Sequence, residues 1–249
     1  MTGFLASVTS MQEAEFALAG GADILDLKDP SRGALGALSA EVISACVAGI
    51  ARRRIVSATA GDLPMEPDPV RNAVQRLAKC GVDIVKIGLF PGGDASACIS
   101  ALSQETSRGT RLVAVMFADQ APDFSLVGPL RDAGFAGVML DTADKSAGGL
   151  RRHLDGDVLA NFVKSAKTFG LMSGLAGSLQ LEDVAPLTAL GPDYLGFRGS
   201  ICDHGRQSAL SPERLRAVRS AIDNANIHQR AARMATAAAG AQRAAHSVA

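Results

Sequence analysis

The chain has 249 residues, of which 47% are hydrophobic and 20% are charged, so it is long enough to bury the core of one large domain. Its 25 Lys and Arg residues balance its 25 Asp and Glu residues, which argues against the basic surface of a nucleic-acid-binding protein. No apolar run approaches the roughly 18 residues that a membrane span requires, and no basic leader precedes an apolar segment.

Short segments rich in β-forming residues alternate with helical patterns along the chain. The β-rich segments lie at residues 3–8, 23–28, 55–59, 83–88, 111–117, 136–141, 171–176 and 193–198. Between them, apolar residues recur three and four positions apart, as in MQEAEFALAGG and PDPVRNAVQRLAKCG, which indicates amphipathic helices. Ser39 is placed to begin one of these helices, and Gly81 is placed to end another.

Eight such units in about 220 residues predict an α/β fold of the (β/α)8 or TIM-barrel type, formed as a single domain over residues 1–224. The alternative is an open, doubly wound sheet. We prefer the barrel because the count is eight, because no GxGxxG follows the first strand, and because no break in composition suggests two halves.

Residues 225–249 depart from this pattern. The stretch is rich in alanine, contains no acidic residue and has few large apolar side chains to bury. Alanine favours helix, but a helix without an apolar face has little to hold it against a core. We predict a frayed or disordered C-terminal tail.

Four strands bring charged side chains toward one end of the predicted barrel. Alternation along a strand places Asp26 and Lys28 on the inward face of strand 2, Lys86 on strand 4, Asp141 on strand 6 and Arg198 on strand 8. Burying an unpaired charge costs several kcal/mol, so these groups are expected to pair in one network. Because the C-terminal ends of barrel strands carry the chemistry in this fold, the pattern predicts an active site there.

The odd strands are expected to contribute neutral side chains, with Ser57 and Thr59 inward on strand 3, and Ala114 and Met116 inward on strand 5. Lys145 follows strand 6 and can reach the network around Asp141. Taken alone, a pair such as Asp141 and Lys145 could be an ion pair at the rim of the barrel that contributes little to stability.

A lysine that sits in a partly buried pocket beside a second cation loses its proton more readily and can attack a carbonyl. Lys28 and Lys86 form such a pair. One could form an imine while the other, or Asp141, moves protons. The predicted reaction is Schiff-base carbon–carbon bond chemistry on an aldehyde or ketone, although the spacing does not choose between the two lysines.

The loops after strands 7 and 8 suggest a phosphorylated substrate. They read LAGSLQLED and GFRGSICDHGRQ, and they combine small residues with Arg198 where barrels often bind phosphate. We predict that Gly177, Ser178, Arg198 and Gly199 bind phosphate. The competing interpretation is that Gly177 and Ser178 only form a turn and a helix cap.

Four motifs carry a resemblance to a known family. They are DILDLKDPSRGALGA around Lys28, VDIVKIGL around Lys86, GVMLDTADK with Asp141 and Lys145, and YLGFRGSICDHGR. Together they resemble (5-formylfuran-3-yl)methyl phosphate synthase, also called 4-(hydroxymethyl)-2-furancarboxaldehyde-phosphate synthase, over residues 3–220.

The resemblance implies a TIM-barrel lyase that condenses two molecules of glyceraldehyde 3-phosphate into a phosphorylated furan aldehyde for methanofuran-type carriers. It implies that Lys28 forms the Schiff base and that Lys86 accepts the proton. Asp26, Asp141 and Lys145 are then supporting active-site groups.

We expect no metal and no other cofactor, because His153, His204, His228 and His246 lack ligand spacing. The four cysteines contain no CxxC pair, which indicates free thiols and a cytoplasmic protein. The expected partner is a small phosphorylated triose, with neither nucleic acid nor membrane, and we expect a homo-oligomer. Two other functions stay open: a different class I phosphosugar aldolase, and a non-catalytic barrel that binds a phosphate ligand.

Overall fold

A computed structural model describes residues 1–246 of the chain, with side chains described for residues 1–232, 234 and 235. Eight parallel strands in this range form a closed barrel in which each strand pairs with the next and the last pairs with the first. In chain order, β1 to β8 are Gly3–Val8, Ile24–Leu27, Ile55–Thr59, Ile84–Leu89, Leu112–Phe117, Gly137–Asp141, Met172–Leu175 and Tyr194–Phe197.

Helices follow the strands and cover the outside of the barrel. In chain order, α1 to α9 are Met11–Ala19, Ala40–Ile50, Pro67–Lys79, Ala95–Ser107, Val127–Asp132, Leu150–His153, Gly156–Thr168, Val184–Leu190 and Pro212–His246. Short 3-10 turns lie at Phe124–Leu126, Leu181–Asp183 and Gly199–Ile201. Ser39 begins α2 as predicted, because its hydroxyl accepts from the amide of Val42.

The predicted (β/α)8 barrel is therefore confirmed, and the open sheet is wrong because β1 pairs with β8. Each observed strand begins and ends within two residues of its predicted position. The agreement follows from the sequence itself, since apolar runs of strand length are separated by helical stretches with clear caps.

The barrel has two apolar layers, one inside the strands and one between the strands and the helices. The inner layer includes Leu5, Ile24, Ile84, Val113, Val115, Phe117, Met139 and Tyr194. On β5, the prediction that Ala114 and Met116 face inward is wrong, because both belong to the outer layer. Register explains the reversal, since Val113 lies beside the inward Lys86 and Phe117 lies beside the inward Asp141.

Helix α9 contacts the start of the chain. The side chain of Asn226 accepts from the amide of Thr2 at 2.8 Å and donates to its carbonyl at 2.9 Å, and both residues are buried. The predicted boundary at residue 224 falls inside α9. The division into a barrel and a frayed tail stays a prediction, and residues 247–249 of that tail lie outside the described residues.

Within residues 1–246, no helix combines the length and the hydropathy needed to cross a membrane.

Candidate active site

One cavity lies at the C-terminal ends of the strands, where the loops after β2, β6, β7 and β8 meet. Each of the nine predicted site residues lines it: Asp26, Lys28, Lys86, Asp141, Lys145, Gly177, Ser178, Arg198 and Gly199. The strand alternation read from the sequence thus brings the predicted groups together. Their individual roles stay predictions.

Lys86 is the deepest cation of the cavity, and its side chain is only 3% exposed. Its ammonium nitrogen lies 2.8 Å from Asp26 Oδ2. The other oxygen of Asp26 accepts from the Ser57 hydroxyl at 2.6 Å, and Ser7 donates to Oδ2 at 3.3 Å. Asp26 is therefore fixed by hydroxyls from β1 and β3 and in turn fixes Lys86.

Asp141 pairs with two lysines at once. Its Oδ2 lies 3.6 Å from Lys28 Nζ, and its Oδ1 accepts from Lys145 Nζ and from the amide of Thr142. All three charged side chains are at most 13% exposed. One carboxylate thus balances two cations from the loops after β2 and β6, which leaves Lys28 less closely paired than Lys86.

Burial and neighbouring charge shift the pKa of several of these groups. Burial lowers the pKa of Lys86, the carboxylate of Asp26 opposes that effect, and the charge of Lys28 adds to it. Burial also lowers the pKa of Lys145 to about 8, against the opposing attraction of Asp141. Although burial alone would raise the pKa of Asp141, Lys145 and Lys28 hold it well below its usual value. At neutral pH the site therefore contains the ionised carboxylate of Asp141 and two amines, those of Lys86 and Lys145, that release protons more easily than exposed lysines.

Tyr194 forms the floor below these charges. Its hydroxyl contacts Met139 Sδ at 3.5 Å, and burial raises its pKa, so the hydroxyl stays protonated. The ring fits because residue 174 is glycine: a Cβ there would lie 2.3 Å from the Tyr194 ring. The protonated Tyr194 side chain thus belongs to the neutral inner layer of the barrel, on which the charged groups rest.

Two carboxylates that the sequence analysis did not single out hold the loops of the site. Asp119, which follows β5, accepts from the amides of Ala143 and Asp144 at 2.8 and 2.7 Å, and so fixes the loop that carries Lys145. Asp62, which follows β3, accepts from the amides of Ala34 and Leu35 in the loop after β2. In the sequence, the one sign of this role is that each of these two aspartates follows an odd-numbered strand.

The predicted phosphate-binding residues lie together on the β7 and β8 side of the cavity. Among the described residues, no acceptor binds the amides of Gly177, Ser178 and Gly199, so these donors remain available. The side chain of Arg198 is instead engaged by the protein. Its terminal nitrogens bind Glu13 of α1 at 2.5 and 3.1 Å and the carbonyls of Ser7 and Ser208, and its Nε binds the carbonyl of Arg206.

Comparison with known proteins finds relatives that match most of the chain. Residues 4–219 match the family model described as 4-HFC-P synthase. A protein of Methylorubrum extorquens is 44% identical over 214 residues, which are 85% of this chain and 87% of that protein.

Two further relatives are among those named (5-formylfuran-3-yl)methyl phosphate synthase. The protein of Methanococcus aeolicus is 36% identical, and that of Methanocaldococcus jannaschii is 35% identical. Each alignment covers 81% of this chain and 90% of the relative.

Among solved structures, 3-hexulose-6-phosphate synthase from Salmonella typhimurium superposes with a TM-score of 0.66 at 17% identity, over 90% of this chain and 100% of that one. Phosphoribosyl anthranilate isomerase from Thermus thermophilus gives 0.64 at 16% identity, over 90% and 99%. At such low identity these structures show the barrel fold alone.

Proposed function

We propose that this chain, which belongs to the 4-HFC-P synthase family, condenses two molecules of glyceraldehyde 3-phosphate into (5-formylfuran-3-yl)methyl phosphate. The family name supports the product, and the cationic cavity supports two phosphorylated substrates. Atom balance between two trioses and the furan requires the loss of one phosphate and two waters, with no oxidant or reductant. The enzyme is then a carbon–oxygen lyase that supplies methanofuran-type cofactors.

One observation carries the Schiff-base step of this proposal: two buried lysines, each beside a carboxylate that holds it in place, line the same cavity. Lys28 suits the attack on the aldehyde, because its Nζ is 3.6 Å from its partner and is not held in a short ion pair. The amine adds to the carbonyl, and loss of water gives the imine. That water is returned when the imine is later hydrolysed.

Lys86 is the proton acceptor in this scheme. Its lowered pKa increases the fraction of neutral amine near neutral pH, and Asp26 holds it in position. Removal of a proton from the carbon next to the imine gives an enamine, which forms the carbon–carbon bond to the second triose. The imine acts as the electron sink for this step.

Lys145 and Asp141 support the later eliminations. With a pKa of about 8, Lys145 is mostly protonated at neutral pH and can donate to a departing oxygen. Asp141 orients both Lys145 and Lys28. The free amides of Gly177, Ser178 and Gly199 would bind the phosphate group of a substrate.

The first test is product formation from purified glyceraldehyde 3-phosphate, followed by furan absorbance and phosphate release. Borohydride added with substrate should fix a reduced adduct on Lys28. Lys28→Ala should lose both adduct and furan, and Lys28→Arg should also fail because a guanidinium provides no neutral amine near pH 7.

Lys164→Ala is the matched control, because Lys164 lies exposed on α7 and should retain full activity. An adduct on Lys86 would reverse the two lysine roles. A hexose phosphate without furan would favour an ordinary phosphosugar aldolase instead, and binding without turnover would favour a non-catalytic barrel.

A further inference from the structure

On the phosphate side of the cavity, the available donors are the neutral amides of Gly177, Ser178 and Gly199. Tight binding of a phosphate group would also require a cation that is not already in an ion pair. Phosphate groups in proteins are bound most strongly by charge-assisted hydrogen bonds. The guanidinium of Arg198 is engaged by Glu13 and by carbonyls, and the pair is largely buried, so it cannot turn to a ligand without breaking an internal ion pair. Another cation is required beside the amides of Gly177, Ser178 and Gly199.

A hairpin between β8 and α9 presents such a cation. Cys202 pairs with Leu210 as an isolated antiparallel bridge, and Asp203 donates its amide to Ala209 at 3.0 Å. The turn between them is fixed by Gly205, whose φ is 92°, and by Ser208, which bonds to it. Arg206 lies at the tip of this hairpin.

Arg198 holds the same hairpin from below. Its Nε binds the carbonyl of Arg206 at 2.8 Å, and one terminal nitrogen binds the carbonyl of Ser208 at 3.2 Å. Through Glu13, this contact connects the hairpin to α1. Arg198 thus fixes the backbone of residue 206, and the side chain of Arg206 takes no part in this contact.

The side chain of Arg206 reaches into the cavity that Lys28, Lys86 and Lys145 line. It lies next to Gly199, since its Cβ would be 3.9 Å from a Cβ at that position. Within the described residues, its guanidinium makes one hydrogen bond, to the carbonyl of Gly33 in the loop after β2, at 3.2 Å. In the described part of the chain, no carboxylate forms an ion pair with it.

The charge of the cavity also favours an anion at this position. Among the residues that the structure describes, five cationic side chains and two carboxylates line it, and Glu13 pairs with Arg198 alone. The remaining positive charge suits a phosphate dianion.

We propose that Arg206 is the cationic ligand of the substrate phosphate group, beside the amides of Gly199, Gly177 and Ser178. This inference rests on the proposed function for the identity of the substrate as a triose phosphate. The guanidinium spans from Gly33 to the phosphate subsite, so a bound phosphate would be held between the loops after β2 and β8.

Two substitutions separate phosphate binding from a merely structural tether. Arg206→Gln keeps an N–H donor for the Gly33 carbonyl but removes the charge, and Arg206→Lys keeps the charge but loses the fork geometry. Arg32→Gln is the matched control, because Arg32 is exposed in the same loop as Gly33 and does not line the cavity. Full-length variants are compared by thermal unfolding to confirm equal folding.

Inorganic phosphate is the probe, measured by calorimetry. Arg206→Gln should weaken its binding about tenfold or more, Arg206→Lys should weaken it less, and Arg32→Gln should leave it unchanged. Borohydride trapping with unphosphorylated glyceraldehyde should be unaffected by Arg206→Gln, whereas trapping with low glyceraldehyde 3-phosphate should fall.

If the wild type and Arg206→Gln bind phosphate equally well, the proposal is overturned and Arg206 only tethers the loop after β2. A wild type that binds no phosphate would also overturn it. The assay does not depend on furan formation. If Arg206→Gln loses phosphate binding while the wild type makes no furan, the ligand role of Arg206 stands and the proposed reaction falls.

Discussion

Asp141 is the residue on which the charge balance of the site depends. It is the carboxylate shared by Lys28 and Lys145, and it is buried with both. Asp141→Asn leaves two buried ammonium groups without their counter-charge, which should lower the free energy of unfolding at pH 7 by roughly 3 kcal/mol. Urea unfolding measures this loss. Asp144→Asn, in the exposed part of the same loop, is the control and should change stability little.

The same variant should show where this stabilisation depends on pH. The pKa of Asp141 is lower in the folded protein than its usual 3.8, so its contribution is complete above that pH. As pH falls below 3.8, the unfolded chain takes up the proton first and the contribution is lost. The stability difference between the wild type and Asp141→Asn should therefore narrow below pH 3.8. A constant difference would show that Asp141 acts through packing alone.

Single residues also show where sequence reasoning stops. The inward positions of Lys28, Lys86 and Asp141 could be predicted because each interrupts an apolar strand, so alternation identifies its face. The pairing of Arg198 with Glu13 could not be predicted, because it joins residues 185 positions apart through the closure of the barrel. Arg206 was missed for a related reason, since its direction depends on the geometry of a loop.

At the scale of the element, three strands begin with the same signal. Gly, one further residue and Asp precede β2, β4 and β8, in GAD, GVD and GPD. The carboxylates of Asp23, Asp83 and Asp193 accept from the amide of the second residue of each neighbouring odd strand, over 2.7 to 2.8 Å; these residues are Phe4, Val56 and Ser173. The motif fixes the relative positions of β1 and β2, β3 and β4, and β7 and β8 at the end opposite the active site.

Asp83→Ala tests this element-level role. The amide of Val56 loses its charged acceptor, so the free energy of unfolding should fall by about 1 kcal/mol, a small value because Asp83 is exposed to water. Activity should be unchanged, since the contact lies far from the cavity mouth. Asp83→Asn keeps an acceptor oxygen and should lose less. Equal stability of all three proteins would show that the motif is not needed for strand registration.

Strand β5 is the element whose inward face was predicted wrongly. Its residues, LVAVMF, are all apolar, so neither face is marked by a polar side chain and alternation cannot be read. On β2 and β4 a buried charge marks the face. The inner face of β5 is decided by its neighbours, since Val113 and Phe117 share layers with Lys86 and Asp141.

At the scale of the whole molecule, the sequence predicts the barrel but not the contact between the start of the chain and the last helix, α9. Eight repeating units specify the architecture because each buries one strand face and one helix face. The contact of Asn226 with Thr2 joins residues 224 positions apart. Asn226 lies after residue 224, where the barrel is predicted to end. The contact could not be predicted, because an alanine-rich composition gives no sign that one side-chain amide is buried.

Truncation tests whether the folded unit extends past residue 224. A chain ending after residue 224 lacks Asn226 and leaves the buried amide and carbonyl of Thr2 without partners, which should lower the free energy of unfolding by about 2 kcal/mol. A chain ending after residue 235 keeps Asn226 and also Gln229, whose side chain binds the Thr188 carbonyl at 2.7 Å. It should match the full chain to within about 0.5 kcal/mol. Asn226→Ala in the full chain should reproduce most of the loss, whereas equal stability of the two truncated chains would place the end of the barrel at residue 224.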